Sequence, residues 1–157
     1  MFKPDPSHKF SPRRERWLKG LRKGITRGNI WLLKISRGRL GNSFLGTPTL
    51  LLTTTGRKSG QPRTIPLYYR TERARLLLVA SNAGTSRDPD WLLNIRAQPL
   101  VTVRIRGRTQ PMRARVASME ENQQLWPSLL ATFPLWQMMF ERSHRVFPIV
   151  ILEPTVA

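Results

Sequence analysis

The 157-residue sequence contains no cysteine, only two histidines and only nine acidic residues. The absence of cysteine excludes disulfides, thiolate zinc sites, iron–sulfur clusters and cysteine nucleophiles. His8 and His144 are too few and too far apart in the sequence for a histidine-based metal site. No apolar run approaches the roughly 20 residues of a membrane-spanning helix, and no secretory signal is predicted, because no apolar block follows the basic N-terminus. The length suits one domain.

Basic residues dominate the composition. The chain has 27 Lys and Arg against nine Asp and Glu, a formal net charge of +18. Such a charge attracts polyanions, which include nucleic acid, acidic lipid and phosphorylated cofactors. A general bias of the genome towards arginine explains part of the excess, since 21 of the 27 basic residues are Arg.

Residues 1–40 form a distinct basic extension with twelve basic and two acidic residues. We predict disorder for residues 1–12 and one or two short helices for residues 11–41, where apolar residues recur at three- and four-residue steps. Residues 12–40 have three candidate partners, which are the domain behind them, an acidic membrane surface and nucleic acid. Nucleic acid is the weakest of these, because no recognisable nucleic-acid motif accompanies the charge. The oligomeric state stays open.

Residues 41–157 predict an α+β, mainly β domain in which short β-branched strands follow one another through turns. The predicted strands are 49–55, 63–70, 76–81, 101–105, 110–117 and 147–152, with Pro66 marking an edge or a bulge and a turn at residues 71–75. The predicted helices are a short one after Asp88, one at 118–131 and one at 133–141. Asp88 and Ser118 are the predicted N-caps of the first two. Hairpins with helices inserted between strands indicate a small antiparallel barrel.

The turn between the first two strands is the most informative segment for chemistry. It places Arg57, Lys58, Ser59 and Arg63 around two glycines. Tight turns with free N–H groups and cations bind phosphate or carboxylate. A P-loop is excluded, because that motif needs glycine where Arg57 stands. Composition alone leaves a solvated, charged hairpin as an equal alternative.

Two further clusters are candidates for a site. The small residues of Ala80–Gly84 would let a flat ring approach the backbone after a buried strand, although an ordinary loop has the same composition. Aromatic and Met residues between Trp126 and Phe140 could line an apolar pocket or form core. No Ser–His–Asp set and no paired carboxylates are evident, so we expect a bound cofactor to carry any chemistry.

Several segments in order point to one family. They are Leu50–Arg63, Pro66–Tyr68, Ala80–Gly84, Pro89–Asn94, Ala97–Pro99, Phe133–Pro134 and Phe147–Val150. From about Gly46 to Pro154 the chain resembles the bacterial deazaflavin-dependent nitroreductase family. The resemblance implies a split antiparallel β-barrel, like that of flavin-binding reductases. It also implies hydride transfer from reduced coenzyme F420, which has a phosphodiester and an acidic tail, to a quinone-like or nitro acceptor.

The resemblance also implies which residues hold the coenzyme. They are Thr55, Arg57, Lys58, Gly60, Gln61, Arg63, Pro66, Leu67, Ala80, Ser81, Asn82, Gly84 and Asn94. The three cations would bind the phosphate and the acidic tail, and Pro66 and Leu67 would flank the ring. Asn94 would support the loop from Ala80 to Gly84.

Ser81 and Tyr68 would donate hydrogen bonds to the acceptor, beside a substrate surface of Tyr68, Phe133, Trp136 and Met139. Nitroimidazole-reducing relatives have tyrosines at the last three of these positions, so we expect weak or no nitroimidazole activation. Some members carry Lys where Asn82 stands. The alternatives are a reductase of the same fold that binds flavin mononucleotide (FMN), and a non-catalytic F420-binding or basic membrane-associated protein. The expected location is the cytoplasm, at the inner face of the membrane if the basic extension binds lipid.

Overall fold

The computed structural model describes residues 43–44, 47–143 and 145–155, and for residues 43, 44 and 142 it describes the backbone alone. The predicted basic extension, residues 1–40, lies outside this range. In the described part of the chain, no helix has the length and apolar character needed to cross a membrane. Nor do the described residues contain a group of three or more acidic or histidine side chains that could hold a metal ion.

The described residues form eight strands, three α-helices and one 3₁₀ turn. The strands are β1 (Ser43–Phe44), β2 (Thr47–Thr55), β3 (Pro62–Tyr68), β4 (Arg70–Glu72), β5 (Arg75–Val79), β6 (Leu100–Ile105), β7 (Arg108–Val116) and β8 (Ile149–Pro154). The helices are α1 (Asp90–Ala97), α2 (Met119–Thr132) and α3 (Leu135–Ser143), and the 3₁₀ turn spans Asn82–Gly84.

The strands form one antiparallel sheet in the order β1-β2-β6-β7-β8-β5-β4, with β3 paired to β2. β3 is therefore an edge strand, as Pro66 within it predicts. The sheet curls into a half-barrel, which confirms the predicted antiparallel barrel. The terminal strands of the sheet are β3 and β4, which no ladder joins. Because β4 pairs only with Arg75–Leu77, the second half of β5 has no ladder partner on that side, and the half-barrel is open between it and β3.

Apolar residues cover both faces of β5, as the uninterrupted run Leu76–Val79 predicts. Leu76 and Leu78 belong to the barrel interior, where Trp91 and Leu92 of α1 close one end. The other face of β5 packs against α2 and α3. That second cluster contains Leu77, Val79, Leu125, Leu129, Phe133, Trp136, Phe147, Ile149 and Ile151.

The N-terminus of α2 confirms a prediction made from local spacing. The N–H of Glu121 donates to Ser118 Oγ at 3.1 Å, and the N–H of Ser118 donates to Glu121 Oε2 at 2.9 Å. This reciprocal capping box satisfies donors that a helix start otherwise leaves free. Both carboxylate oxygens of Glu121 also accept hydrogen bonds from Arg115 at 2.8 Å. Helix α2 is thereby fixed to β7.

Two local predictions are wrong. Asp88 does not cap α1, which begins at Asp90 after Pro89 and has no side-chain cap. The Asp88 carboxylate instead accepts from Arg96 and Arg145 at 2.9 and 2.8 Å, and these ion pairs compete with capping. The turn predicted at residues 71–75 is shorter, because residues 71 and 72 belong to β4 and residue 75 begins β5.

Candidate active site

The hairpin between β2 and β3 has a tight base and an open tip. At its base, the N–H of Gly56 donates to Gln61 O at 2.8 Å, and the N–H of Gly60 donates to Gly56 O at 2.7 Å. A Cβ on Gly56 would lie 2.9 Å from Ser59 Oγ and 3.1 Å from Gln61 O, so a larger residue would force the turn to shift. Gly60 has φ +67°, and a Cβ there would meet no atom within 4 Å. Backbone flexibility at Gly60 and open space around it favour the approach of a ligand.

The three cations of this hairpin differ in their surroundings. Arg57 is engaged, since its Nη2 donates to Asp90 Oδ1 at 3.1 Å and its Nη1 donates to Asn94 Oδ1 at 3.1 Å. Lys58 and Arg63 are exposed and have no acidic partner among the described residues. The hairpin therefore presents two uncompensated positive charges, while Arg57 braces it against α1.

Asn94 is a buried polar residue with 4% exposure. Its Oδ1 accepts from the N–H of Arg57 at 3.1 Å as well as from the guanidinium, and its Nδ2 donates to Thr54 Oγ1 at 3.1 Å. These hydrogen bonds correct the expectation that Asn94 supports the loop from Ala80 to Gly84. The side chain instead fixes the base of the cationic hairpin, because its position on α1 faces the end of β2.

The segment 80–88, called the β5–α1 loop below, has an unusual backbone. Asn82, Ala83 and Gly84 follow one another with φ of 48°, 55° and 75°, all in the left-handed region. The hydroxyl of Ser81 makes no hydrogen bond within the described part of the chain, although the residue is only 9% exposed. A Cβ on Gly84 would lie 3.4 Å from Met139 O, so α3 closely approaches this turn.

The predicted substrate aromatics pack mainly against one another. Phe133 lies 4.5 Å from Tyr68 and 5.2 Å from Trp136, measured between ring centroids. Phe133 and Trp136 are buried, and in this structure both belong to the core cluster under α2 and α3. Burial raises the pKa of Tyr68 above its ordinary value of 10.0, so its hydroxyl is protonated at neutral pH and can donate a hydrogen bond.

An apolar groove of about 260 Å³ lies between α2, α3 and the chain that precedes β8. Its lining consists of Asn122, Gln123, Trp126, Pro127, Phe140, Val146 and Phe147. Phe133, Trp136 and Met139, the predicted substrate residues, are not part of this lining. The aromatic segment thus separates into a packed part near Tyr68 and an open part near Trp126.

The remaining predicted residues lie along β3, the hairpin and the β5–α1 loop. Thr55 pairs with Pro62 at the end of β2, Pro66 pairs with Leu51, and Leu67 packs on the barrel interior. Ala80 donates its N–H to Pro148 O at 2.9 Å. Asn82 Nδ2 donates to Arg87 O at 2.9 Å and so holds the loop together.

Arg145 is the main residue of this region that the sequence analysis misses. Its side chain is 18% exposed, and its guanidinium donates to Asp88 and to backbone carbonyls of the β5–α1 loop. Asp88 in turn pairs with Arg96 of α1, the helix that also holds Arg57. Helix α1 therefore connects the cationic hairpin with the β5–α1 loop. No local pattern marks Arg145, which lies 65 positions from Ala80.

Comparison with known proteins decides the family. The family model described as F420H(2)-dependent quinone reductase matches residues 25–154. The chain belongs to this family. It is therefore an oxidoreductase, and the resemblance to deazaflavin-dependent enzymes is confirmed. The match begins inside the predicted basic extension, at residue 25.

Individual relatives agree with this family. The Rv3178 protein of Mycobacterium tuberculosis, whose name assigns it provisionally to the F420H(2)-dependent quinone reductases, is 36% identical over 117 residues, covering 74% of this chain and 98% of Rv3178. A solved F420-H2 dependent reductase, FDR-A, is 33% identical with a TM-score of 0.62, covering 68% of this chain and 94% of FDR-A. A second structure, described as a domain-swapped dimer, is 28% identical with a TM-score of 0.65, covering 89% of this chain and 99% of that one.

Proposed function

We propose that this chain reduces a quinone-like acceptor with F420H2, and that the cationic hairpin and the β5–α1 loop hold the coenzyme. The family and the names of Rv3178 and FDR-A support the reductant. They give no support to FMN. The structural observation that carries the proposal is the pair of uncompensated cations, Lys58 and Arg63, on a hairpin that borders the open side of the half-barrel.

The residues present fit coenzyme F420. Its phosphodiester and acidic tail need cations and N–H donors, which Lys58, Arg63 and the open turn at Gly60 supply. Its flat ring needs a narrow opening without large side chains, and Ala80 and Ser81 follow β5 on the open side of the sheet. We assign Thr55, Gln61, Lys58 and Arg63 to the anionic part of the coenzyme. Pro66, Leu67, Ala80, Ser81, Asn82 and Gly84 are assigned to the ring.

Arg57 and Asn94 take supporting roles in this assignment. Because Arg57 already pairs with Asp90 and Asn94, its main contribution is to hold the hairpin at a defined distance from α1. A ligand then meets a turn whose shape exists before binding, which lowers the entropic cost of association.

The chemistry divides between coenzyme and protein. When bound, the reduced deazaflavin supplies a hydride. The protein orients the acceptor, excludes water and stabilises the negative charge that develops on the acceptor oxygen. The hydroxyl of Ser81, which lacks a hydrogen bond in the described part of the chain, and the protonated hydroxyl of Tyr68 are the proposed donors. The final proton comes from solvent.

The acceptor is proposed to be a quinone-like molecule rather than a nitroimidazole. Phe133, Trp136 and Met139 have no hydroxyl with which to hold a nitro group. Phe133 and Trp136 are buried, so they would act by supporting Tyr68, which packs on Phe133 and is proposed to face an apolar quinone ring. Residues 12–40 would hold the enzyme at an acidic membrane surface, where quinones with long apolar tails reside. Sedimentation of the full chain with acidic but not neutral liposomes tests this location.

The coenzyme site is tested by titrating the purified protein with oxidised F420 and following the fluorescence of the deazaflavin. Lys58→Ala and Arg63→Ala should each weaken binding about tenfold, because each removes one charge-assisted contact. Arg108→Ala is the matched control. Arg108 is exposed and pairs with Ile105, at the end of the sheet opposite to the cationic hairpin.

The control should bind F420 as the wild type does. Equal weakening by all three substitutions would mean that only the overall charge attracts the coenzyme. Such a result would contradict a site at the hairpin. Saturation by FMN with higher affinity than F420 would contradict the coenzyme assignment itself.

A further inference from the structure

The β5–α1 loop keeps a backbone conformation that Asn82 and Gly84 tolerate but that alanine at position 83 disfavours. Asn82 and Ala83 both have positive φ, and Gly84 extends the left-handed run to three residues. Side chains with a Cβ rarely adopt this region, and alanine has no side-chain polar group to compensate. Such a conformation persists only where surrounding contacts hold it, and it occurs most often at functional sites.

Arg145 contacts the residues on both sides of this left-handed run through one guanidinium group. Its Nε donates to Thr85 O at 2.9 Å, and its Nη2 donates to Ala80 O at 3.1 Å and to Arg87 O at 3.2 Å. A weaker contact of 3.3 Å joins Nη2 to Ser81 O. Four backbone carbonyls spread along the loop therefore accept hydrogen bonds from the side chain of Arg145.

The remaining nitrogen of Arg145 fixes the loop to α1. Nη1 donates to Asp88 Oδ1 at 2.8 Å, while Asp88 Oδ2 accepts from Arg96 at 2.9 Å. The guanidinium carbon of Arg145 also lies 5.1 Å from the centroid of the Phe147 ring. The Arg145 side chain is 18% exposed, and an ion pair and a cation–π contact restrain its guanidinium group.

We propose that Arg145 is a positioning residue of the coenzyme site, which keeps the β5–α1 loop in the shape that receives the deazaflavin ring. This inference rests on the function proposed above. Arg145 occupies the carbonyls of Ala80 and Ser81, so the Ser81 hydroxyl stays available on a loop whose course is fixed before the coenzyme binds. Lysine cannot replace Arg145 fully, because its single ammonium group lacks the planar set of five donors.

The matched control is Arg115, whose guanidinium makes three hydrogen bonds, all of them to carboxylates. They join β7 to Glu121 and Glu153. Arg115→Met should therefore lower the thermal midpoint without affecting the loop. The experiment compares Arg145→Met, Arg145→Lys and Arg115→Met with the wild type. It measures the thermal midpoint, hydrogen exchange of the Gly84 and Thr85 amides without coenzyme, and the Kd for oxidised F420.

The two amides are informative because they donate within the loop, from Gly84 N–H to Ser81 O at 2.9 Å and from Thr85 N–H to Asn82 O at 3.3 Å. Arg145→Met should speed their exchange at least tenfold and raise the Kd at least tenfold. Arg145→Lys should fall between this variant and the wild type, and Arg115→Met should change neither readout more than twofold. If Arg145→Met fails to fold, Asp88→Asn takes its place, because it removes the negative charge that pairs with Arg145. Asp88→Asn should also speed the exchange of the two amides and raise the Kd.

Unchanged exchange and unchanged Kd in Arg145→Met would overturn the positioning role while leaving the proposed function intact. An equal rise of the Kd in Arg115→Met would also overturn it, because general destabilisation would then explain the effect. Absence of F420 binding by the wild type would instead refute the proposed function, and with it the assignment of Arg145 to a coenzyme site.

Discussion

Replacing Asn94 by alanine should destabilise the protein and disorder the cationic hairpin together. The substitution leaves the Thr54 hydroxyl, which is 2% exposed, without its donor, and it leaves the N–H of Arg57 without its acceptor. Each unsatisfied group costs about 1–3 kcal/mol. Water can partly satisfy the N–H of Arg57, which lies in the exposed hairpin, but not the buried Thr54 hydroxyl. We therefore expect a total loss of about 3 kcal/mol in the free energy of unfolding.

Urea unfolding at neutral pH measures this loss, with Asn122→Ala as the control. Asn122 also donates one side-chain hydrogen bond, to Phe147 O at 3.0 Å, but it lies on α2 away from the hairpin. Its replacement should cost about 1 kcal/mol and leave F420 binding unchanged. Asn94→Ala should raise the Kd for F420 at least tenfold, because Arg57 no longer holds the turn.

Asn94→Asp separates the two effects of this residue. The carboxylate can still accept from Arg57, and the Thr54 hydroxyl can turn to donate to it, so most of the stability should remain. The new negative charge beside the hairpin should nevertheless weaken the binding of an anionic coenzyme several-fold. An unfolding free energy of Asn94→Ala within 1 kcal/mol of the wild type would refute this reasoning.

Two further predictions concern stability. The hydrogen bonds from Arg115 and the Ser118 backbone lower the pKa of Glu121 from 4.5 to about 2. Stability from this group is therefore fully present above pH 4.5 and is lost as the pH falls towards 2. Over this range, the free energy of unfolding in urea should fall by about 1 kcal/mol more in the wild type than in Glu121→Gln, after allowance for solvent screening. Parallel pH profiles of the two proteins would exclude the effect. Gly60→Ala should cost about 1 kcal/mol through its positive φ alone, and Gly60→Asn should cost less in the same urea assay.

Local patterns predicted the parts of the structure that depend on neighbours in sequence. The spacing of Ser118 and Glu121 identified the start of α2, and the apolar run from Leu76 identified a strand buried on both faces. Pro66 correctly marked an edge strand. In each case the local structure depends on residues that are close together in the sequence, so a short sequence pattern is enough to predict it.

Long-range contacts account for what could not be predicted. Asp88 had the sequence of an N-cap, but Arg145, 57 positions away, takes its carboxylate. Asn94 lies 40 positions from Thr54, and only the folded barrel shows that they are hydrogen-bonded. The family could be recognised from the sequence, because Leu50–Arg63 and the later segments that carry the resemblance are each contiguous in the chain and follow one another in order.

The most direct test of the central claim is oxidation of F420H2 by a short-chain quinone in the presence of the purified full chain. The account predicts saturable, protein-dependent recovery of the oxidised deazaflavin absorbance, retained in Arg108→Ala and slowed in Ser81→Ala and Lys58→Ala. Reduced FMN should support no comparable turnover. Oxidation of F420H2 no faster than in the absence of protein, across several quinones, would contradict the assignment of this chain as an F420H2-dependent quinone reductase.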